Sequence, residues 1–304
     1  MEFTVGLDTP FSLDYTMESG QLFRWERKGE WWIGAVPGGV LKLNQEGDVL
    51  KCSSGSSELD SSFVRRYFKL DLDIEPVLSS ITRDPHITQA VERFYGLRIV
   101  RQDRWECLAS FLLATNANIP RIKKMVSAVC TRYGVAWEFE RVQFNLFPVP
   151  GALADAKLSD LRRCGLGYRG PFLKRVASKV ASGEVDLRAL DELDYDSAKQ
   201  FLLKEVLGEK VLAGVGPKVA DCVLLFSCDK DQAFPIDVWI ARALATYYPD
   251  LLPPRLKKGL ETDSPSKIGP KDYESLSFAA RTYFGQYAGY AQQYLYMAAR
   301  SEGP

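Results

Sequence analysis

The sequence predicts an α+β protein in which a small antiparallel β-sheet domain precedes a larger, mostly α-helical domain. Through about the first 55 residues, short apolar runs alternate with Gly- and Pro-containing breaks, which is typical of an antiparallel meander. From Phe63 onward, the apolar residues recur at helical spacing. A length of 304 residues and a hydrophobic fraction of 46% fit a globular chain of about two domains. We place the domain boundary between residues 1–82 and 83–304.

Individual strands and helices follow from the same patterns. Strands are predicted at residues 22–25, 31–36, 40–43 and 49–52, with turn-forming glycines in the breaks between them. Helices are predicted from length and period at residues 106–113, 122–130, 172–180, 198–207, 219–226, 238–248 and 288–299. The proline-rich segment 251–270 is predicted to be an irregular loop within the helical domain.

Composition excludes several classes of protein and of active site. The chain has a single histidine, His86, so a Ser-His-Asp triad or a multi-histidine metal site is not expected. Its six cysteines are scattered without a CxxC pair, which argues against a zinc site and against a secreted disulfide framework. No apolar run approaches the ~18 residues of a membrane span, and the N-terminus lacks the features of a signal peptide. We therefore expect a soluble protein that works without a metal or a membrane, in the cytoplasm of a prokaryote or, if the source is eukaryotic, in the nucleus.

Charge is balanced overall but segregated along the chain. Lys and Arg number 39, as do Asp and Glu, yet residues 161–179 contain six basic residues and no acid, and residues 119–134 contain four and no acid. Six acids follow between residues 184 and 196. This segregation is compatible with one basic face suited to nucleic acid, although from charge alone solvated helix faces are the better explanation.

The most informative stretch is Gly-Val-Gly-Pro-Lys at residues 214–218, between two helical segments. It predicts a helix-hairpin-helix with Pro217 opening the second helix. Gly214 and Gly216 would let the backbone approach a partner closely, and the free N–H groups at the helix start would suit a phosphate. Alternatively, glycines in a connection between helices can be explained by the backbone conformation of the turn alone, without a binding partner.

Two side chains beside this hairpin could carry chemistry. Lys218 lies in the first turn of an apolar helix, where an ammonium is disfavoured, so its amine is a candidate nucleophile. A lysine that reaches solvent or touches a phosphate is the alternative. Asp237, 19 residues later, precedes another apolar helix as a predicted N-cap. Its carboxylate, held ionised there, could stabilise positive charge on a nearby sugar, although capping alone would explain it.

These residues resemble the helix-hairpin-helix, Gly/Pro-rich, aspartate (HhH-GPD) superfamily of DNA glycosylases, and within it the 8-oxoguanine DNA glycosylase/AP lyases. The bifunctional members carry a lysine at the position of Lys218. The resemblance covers most of the chain and rests on blocks in the family's order. These blocks are SGQLFRW at 19–25, RQD at 101–103, TNANIPRI at 115–122, CGLGYR at 164–169, GVGPKVADC at 214–222, PID at 235–237 and YAGYAQ at 287–292.

The resemblance implies a pocket for the damaged base. Lys218 and Asp237 would be the catalytic residues. Gly20 would offer its carbonyl to the ring proton that distinguishes 8-oxoguanine from guanine, and Gln292 would read the base's pairing edge. Cys222 and Tyr296 would sandwich the flipped base.

The resemblance also implies a set of DNA contacts. Asn116 would fill the emptied position in the base stack, and Tyr168 would be a wedge beside it. Arg121 and Arg169 would contact the orphaned cytosine. Gly214 and Gly216 would belong to the DNA-binding hairpin.

Some positions depart from the family pattern. Trp239 stands where many members have a phosphate-contacting histidine, Ala117 interrupts a run usually richer in Asn, and Tyr296 replaces the commoner Phe. The four-cysteine cluster of the endonuclease III branch is missing, because no cysteine follows Cys228. The resemblance therefore implies no iron–sulfur cluster and no other cofactor.

The resulting hypothesis is a bifunctional DNA N-glycosylase/AP lyase. It would flip 8-oxoguanine out of duplex DNA, opposite cytosine, and excise it through a Schiff base on Lys218 followed by β-elimination. The expected partner is double-stranded DNA containing an oxidised purine, bound by a monomer. A monofunctional alkyl-base glycosylase that uses Asp237 with water is one alternative. A non-catalytic helix-hairpin-helix DNA-binding protein is another.

Overall fold

The N-terminal part of the chain forms a five-stranded antiparallel sheet in the order β1-β5-β4-β3-β2. The structure is a computed structural model that describes residues 1–206, 209–253, 256 and 268–301. The strands of this sheet are β1 (Glu2–Gly6), β2 (Trp25–Lys28), β3 (Trp31–Val36), β4 (Gly39–Glu46) and β5 (Val49–Ser54). The predicted antiparallel meander is thus confirmed for β2 to β5, since each pairs with the next strand in the chain.

Helices dominate the rest of the described chain. They are α1 (Leu13–Glu18), α2 (Ser61–Tyr67), α3 (Glu75–Ile81), α4 (Pro85–Arg93), α5 (Arg104–Leu113), α6 (Ile119–Tyr133), α7 (Pro150–Ala154), α8 (Leu158–Arg163), α9 (Arg169–Ala181), α10 (Tyr195–Leu203), α11 (Pro217–Ser227), α12 (Val238–Tyr247), α13 (Pro270–Phe284) and α14 (Ala288–Ser301). Two short strand pairs lie among them: β6 (Ala136–Phe139) with β7 (Val142–Asn145), and β8 (Glu205–Val206) with β9 (Glu209–Lys210). The predicted α+β class is confirmed. Among the described helices, none has the length and apolar character to cross a membrane.

Several predicted boundaries were wrong. The strand predicted at 22–25 runs over Trp25–Lys28, because Leu22 and Phe23 are buried in turn structure rather than paired in the sheet. The helix predicted at 198–207 begins at Tyr195 and ends at Leu203, and Leu207 lies outside the described residues. Most of the loop predicted at 251–270 also lies outside them. The domain boundary after residue 82 stays a prediction.

Two of the elements that the sequence did not predict are β1 and the β6–β7 hairpin. The first strand, β1, pairs with β5 at the sheet edge although its residues are mostly exposed. The β6–β7 hairpin interrupts the helices and packs Phe139 against Ala35 and Val40 of the sheet. Both elements are too short for periodicity to identify, and tertiary contacts decide their structure.

A buried arginine fastens the N-terminal segment to the helical part. Arg98 is fully buried, and its guanidinium donates to the carbonyl oxygens of Pro10, Lys69 and Leu72 at 2.8–3.1 Å. Its own carbonyl accepts a hydrogen bond from the Gln21 side chain at 2.8 Å. Because an unsatisfied buried guanidinium would be costly, these carbonyls must stay in place. The turn after α1 is joined to the same residue through the Gln21 bond.

The sheet contains one tight backbone approach that can be tested. Gly34 on β3 lies opposite Trp25 on β2, and a Cβ added at Gly34 would lie 2.6 Å from Cε2 of the Trp25 indole. We expect Gly34→Ala to lower the free energy of unfolding by about 1–3 kcal/mol, because the buried ring would have to shift.

Gly6→Ala is the matched control for this substitution. Gly6 also lies in a strand, but an added Cβ would meet nothing within 4 Å, so its effect is expected within about 1 kcal/mol of zero. Urea unfolding midpoints measure both variants. Equal midpoints for the two would contradict the packing assigned to Trp25.

Candidate active site and DNA-facing loops

The hairpin places Lys218 at the start of α11. Gly214 has φ +81°, and a Cβ there would lie 2.8 Å from the Phe172 ring, so glycine is required on both conformational and steric grounds. Gly216 is the N-cap of α11, and an added Cβ would meet nothing within 4 Å. Lys210 braces the turn by donating to the carbonyl of Val215 at 2.9 Å. The predicted helix-hairpin-helix turn is confirmed, with an open backbone at Gly216.

The side chain of Lys218 is partly buried beside an aromatic cluster. Its Nζ lies 5.3 Å from the ring centroid of Phe111, which is itself buried. Phe111 stacks on Phe226 at 5.4 Å and meets Phe23 edge to face at 5.3 Å. The ring face favours a cation there, so the cluster fixes the lysine head group on one side.

Asp237 begins the next helix, as the sequence predicts. Its Oδ1 accepts a hydrogen bond from the backbone N–H of Ile240 at 2.9 Å, which makes it the N-cap of α12. Burial raises the pKa of this carboxyl, while the positive charge of Lys218 and the N–H groups of Ile240 and Trp239 act in the opposite direction. The net shift is upward, so the helix start offsets only part of the cost of burying the charge.

Cys222 and Tyr296 complete the surroundings of these two groups. Cys222 lies one turn after Lys218 and is buried, and this burial raises the pKa of its thiol to about 12 although the Lys218 charge opposes the rise. Burial also raises the pKa of Tyr296 to about 12, with the charge of Asp237 adding to the shift and Arg300 opposing it. Both side chains are therefore neutral walls of the site at pH 7.

The turn after α1 brings Gly20 to the same place. Gly20 has φ +77°, and an added Cβ would lie 2.8 Å from the hydroxyl oxygen of Tyr296. Gln21 fixes this turn by donating to the Arg98 carbonyl and accepting from the Val100 N–H, both at 2.8 Å. The N-terminal domain thus contributes backbone to a site whose ionisable groups lie in the helical domain.

Gln292 lies one turn before Tyr296 on α14 and therefore on the same helix face. It is buried, and its Oε1 accepts a hydrogen bond from Nε2 of Gln293 at 2.8 Å. The structure thus brings together the sequence-predicted set of Gly20, Lys218, Cys222, Asp237, Gln292 and Tyr296.

The predicted DNA-contacting residues form a second group. Asn116 lies two residues beyond the C-cap of α5, has φ +52°, and donates from Nδ2 to the Tyr168 hydroxyl at 3.2 Å. Tyr168 is 52% exposed, and its hydroxyl donates to the Thr115 carbonyl at 3.2 Å. Arg121 is exposed in the first turn of α6. The predicted wedge and stack-filling residues are therefore neighbours on the surface.

Arg169 lies among these residues in an unexpected position. Its side chain is almost fully buried and donates to the carbonyls of Thr115, at 2.9 Å from Nε, and Asn116, at 3.1 Å. Its guanidinium carbon lies 4.5 Å from the ring centroid of Tyr168. In this structure Arg169 organises the loop and presents no free donor fork to the surface. The role predicted for it at an orphaned cytosine is not tested by this arrangement.

Comparison with known proteins supports the same family over most of the chain. Residues 5–108 match the N-terminal domain of 8-oxoguanine DNA glycosylase, and residues 109–250 match the HhH-GPD superfamily of base excision DNA repair proteins. A probable N-glycosylase/DNA lyase of Methanothermobacter thermautotrophicus is 32% identical over 256 residues, which cover 78% of this chain and 73% of that protein.

The chain belongs to the 8-oxoguanine DNA glycosylase family.

Solved structures of this family share its fold closely. MBOgg1 in complex with a low-affinity DNA ligand superimposes with a TM-score of 0.86 at 31% identity, covering 100% of this chain and 96% of that one. The Clostridium acetobutylicum 8-oxoguanine glycosylase/lyase, bound to duplex DNA with cytosine opposite 8-oxoguanine, gives a TM-score of 0.83 at 27% identity and covers 99% of both chains. The family resemblance inferred from the sequence is thus confirmed.

The sequence reasoning overestimated the free positive charge of this glycosylase. Arg132 and Arg163 both bind Asp160, at 2.8 and 2.9 Å. Arg175 binds Glu209 at 3.2 Å, and Lys179 binds Glu184. Acids from elsewhere in the chain therefore neutralise part of the two basic stretches, and the basic surface is smaller than the count of residues indicates.

The sequence reasoning also missed a buried polar cluster in the helical domain. Asp221, three residues after Lys218, is fully buried and binds the side chains of Tyr195, Lys199 and Tyr273. The available signal was an aspartate within an otherwise apolar helix, because such a residue must find partners when the helix is buried. Its partners, which lie on α10 and α13, could not be read from the sequence.

Replacing Asp237 separates its capping role from its charge. The pKa of Asp237 in the folded protein lies above the ordinary carboxyl value. As pH rises between these two values, the folded state keeps a proton that the unfolded state has already released, so the free energy of unfolding falls. Asp237→Asn keeps an oxygen acceptor for Ile240 and removes the buried charge. We expect this variant to unfold at the wild-type temperature or above it at pH 7.5, with the difference narrowing toward pH 4.5.

Asp194→Asn is the matched control at another N-cap. Hydrogen bonds from Ser197 lower the pKa of Asp194, so its charge stabilises the fold at neutral pH and this contribution is lost in acid. The control should therefore melt below wild type at pH 7.5. Thermal unfolding followed by circular dichroism measures both variants. An Asp237→Asn protein that melts several degrees below wild type at pH 7.5 would show that the carboxylate is there for stability.

Proposed function

We infer that this protein is a bifunctional glycosylase/AP lyase that excises 8-oxoguanine from duplex DNA during base excision repair, with Lys218 as its nucleophile. One observation carries the inference: an amine and a carboxylate stand at the starts of α11 and α12, in a site that Gly20, Cys222 and Tyr296 also border. The family's solved complexes with DNA support the substrate class. As a DNA repair enzyme the protein works where DNA is, and we propose the cytoplasm as that place.

The proposed reaction begins once the damaged nucleotide has rotated out of the stack. Lys218, as the free amine, forms a bond to C1′ while the N-glycosidic bond breaks and the base departs with the electron pair and takes up a proton. Asp237 stabilises the positive charge that develops on the sugar. The sugar ring then opens to a Schiff base on Lys218, and loss of a C2′ proton expels the 3′ phosphate by β-elimination.

Discrimination between 8-oxoguanine and guanine is assigned to the carbonyl of Gly20. The lesion carries a ring proton at the position where guanine carries a lone pair. A buried carbonyl that faces a lone pair instead of a donor loses about 1–3 kcal/mol, so guanine would not repay the cost of flipping. Gln292 would read the pairing edge of the base, with Cys222 and Tyr296 on its two faces.

DNA contacts are assigned to the hairpin and to the surface group around Tyr168. The open N–H groups at Gly216 and the start of α11 would bind a backbone phosphate, with Gly214 shaping the turn. Asn116 would fill the vacated position in the stack, Tyr168 would wedge beside it, and Arg121 would reach the unpaired cytosine. For Arg169 to join Arg121 at that base, it would have to exchange its carbonyl bonds for bonds to DNA.

The competing hypotheses differ at Lys218. A monofunctional alkyl-base glycosylase would activate water with Asp237 and use Lys218 only as a phosphate contact. A non-catalytic DNA-binding protein would use neither residue in chemistry. Borohydride reduces a Schiff base to a stable amine, so only the Lys218 mechanism leaves the protein covalently attached to DNA.

Lys218→Gln tests the nucleophile. We expect no borohydride-trapped product on an 8-oxoguanine duplex, with affinity for that duplex within about tenfold of wild type, since one charge is a small share of phosphate binding. Lys204→Gln, which removes an exposed lysine outside the hairpin, should trap as wild type does. Full excision and trapping by Lys218→Gln would remove the Schiff-base mechanism.

Gly20→Ala tests the lesion reader. The added methyl would lie 2.8 Å from the Tyr296 hydroxyl and in a backbone conformation that disfavours a side chain, so it should disturb the pocket. We expect single-turnover excision of 8-oxoguanine to fall about 100-fold, the scale set by a 1 Å misplacement, with non-specific duplex binding unchanged.

Gly183→Ala is the matched control for backbone strain. Gly183 has the same φ of +77°, but an added Cβ there would meet nothing within 4 Å. This variant should lose stability while excising 8-oxoguanine normally per folded molecule. Wild-type enzyme that releases guanine as fast as 8-oxoguanine, or a Gly20→Ala variant with full activity, would show that the reader lies elsewhere.

A further inference from the structure

The fully buried carboxylate of Asp221 has three side-chain partners. Oδ1 accepts a hydrogen bond from the Tyr195 hydroxyl at 2.6 Å, and Oδ2 accepts one from the Tyr273 hydroxyl at 2.8 Å. Oδ2 also receives the Lys199 ammonium at 3.1 Å. Lys199 in turn binds Glu274 at 2.8 Å, which links the cluster to the surface. These contacts join α10, α11 and α13 behind the active site.

Tyr273 differs from the other two partners because it also touches the loop before Asp237. Its hydroxyl oxygen accepts a hydrogen bond from the backbone N–H of Ile236 at 3.2 Å while it donates to Asp221. Ile236 immediately precedes Asp237, and Asp221 lies one helical turn after Lys218. One hydroxyl group therefore connects the helix that carries the amine with the residue next to the carboxylate.

Stability alone is a weak reason for this arrangement. Burial raises the pKa of Asp221, against the opposing charge of Lys199 and the hydrogen bonds from both tyrosines. Buried ion pairs are often no more stable than well-packed apolar side chains of the same volume. What the polar cluster provides, and an apolar core would not, is a directional bond to one backbone N–H.

Two other contacts of this segment lead to α12 and α13 and not to α11. The N-cap bond to Ile240 fixes the carboxylate to its own helix, α12, and not to α11. On the far side of the loop, Phe234 stacks on Phe284 of α13 with parallel rings 6.0 Å apart. Among the described residues, the Tyr273 hydroxyl thus links the segment before α12 to α11 through hydrogen bonds. A displacement of about 1 Å between reacting groups can lower a rate about 100-fold.

We propose that Tyr273 is a positioning residue that, together with Asp221, sets the Asp237 carboxylate in register with Lys218 for base release. This inference rests on the proposed function of the two residues. Tyr273 touches neither substrate nor the reacting atoms and acts only through Ile236.

Tyr273→Phe removes the connecting oxygen and leaves the ring in place. Under single-turnover conditions we expect excision of 8-oxoguanine to fall at least about tenfold, because a displaced Asp237 carboxylate stabilises the positive charge on the sugar less well. The dissociation constant for the lesion duplex should stay within twofold by our expectation, since no DNA-contacting group changes. Borohydride trapping on a duplex that already contains an abasic site should keep nearly its wild-type yield, because that reaction needs Lys218 but releases no base.

Tyr195→Phe is the matched control. The hydroxyl that it removes donates to the same Asp221 carboxylate and accepts from Lys199. Unlike the Tyr273 hydroxyl, it does not bond to Ile236. Both variants should lose similar stability in thermal unfolding. Excision rates are normalised to the trapped yield on abasic DNA, which counts folded enzyme, so that a difference between the two variants reports on the connection to Ile236.

The outcomes separate this inference from the proposed function. Slow excision with near-normal trapping in Tyr273→Phe, and normal excision per folded molecule in Tyr195→Phe, supports the positioning role. Equal losses in the two variants, or a Tyr273→Phe loss that disappears on normalisation, overturns it and leaves the proposed function standing. Wild-type enzyme that neither excises 8-oxoguanine nor is trapped on abasic DNA overturns the proposed function first.

Discussion

Desolvation of two carboxylates, Asp221 and Asp237, is the constraint around which the helical domain is arranged. Both side chains belong to helices whose other faces are apolar, and burial raises both pKa values. A buried charge is tolerated only where donors and cations come to it. For Asp221 they come from α10 and α13, and for Asp237 from the start of its own helix and from Lys218. The packing of these helices and the electrostatics of the site therefore depend on the same contacts.

The N-terminal domain contributes to the site in a different way, because it supplies backbone atoms and not charged groups. The Gln21 side chain donates to the Arg98 carbonyl and accepts from the Val100 N–H, and these bonds hold the turn that contains Gly20 beside Tyr296. A carbonyl presented by such a turn cannot rotate away as a side chain could. Fixed donors and acceptors are what discrimination by a single hydrogen bond requires, since a mobile acceptor would adapt to either base.

Features that depend on residues close together in the sequence could be predicted, and contacts between residues far apart in the sequence could not. The hairpin and the Asp237 cap are local, since each depends on residues within about one turn, and both were predicted correctly. The Asp221 cluster joins residues 22 to 52 positions apart, and the pairs between β1 and β5 are 43 to 51 positions apart, beyond the reach of any periodicity. The partners of Arg169 are also distant in the sequence and were missed. In addition, this basic residue was assumed to face solvent.

On the proposed function, the surface around Tyr168 and the hairpin at Gly216 would meet DNA in different ways. Asn116 donates to the Tyr168 hydroxyl, and the Tyr168 hydroxyl and the Arg169 guanidinium donate to loop carbonyls. Gly216, in contrast, presents an open helix start. On the proposed function, phosphate binding at the hairpin requires no rearrangement, and the exposed Arg121 can reach the unpaired cytosine as it stands. Arg169 can join it only by exchanging its bonds to the Thr115 and Asn116 carbonyls for bonds to the base. The acceptors of that cytosine are free only when its partner has left the stack, so the contribution of Arg169 to binding depends on flipping.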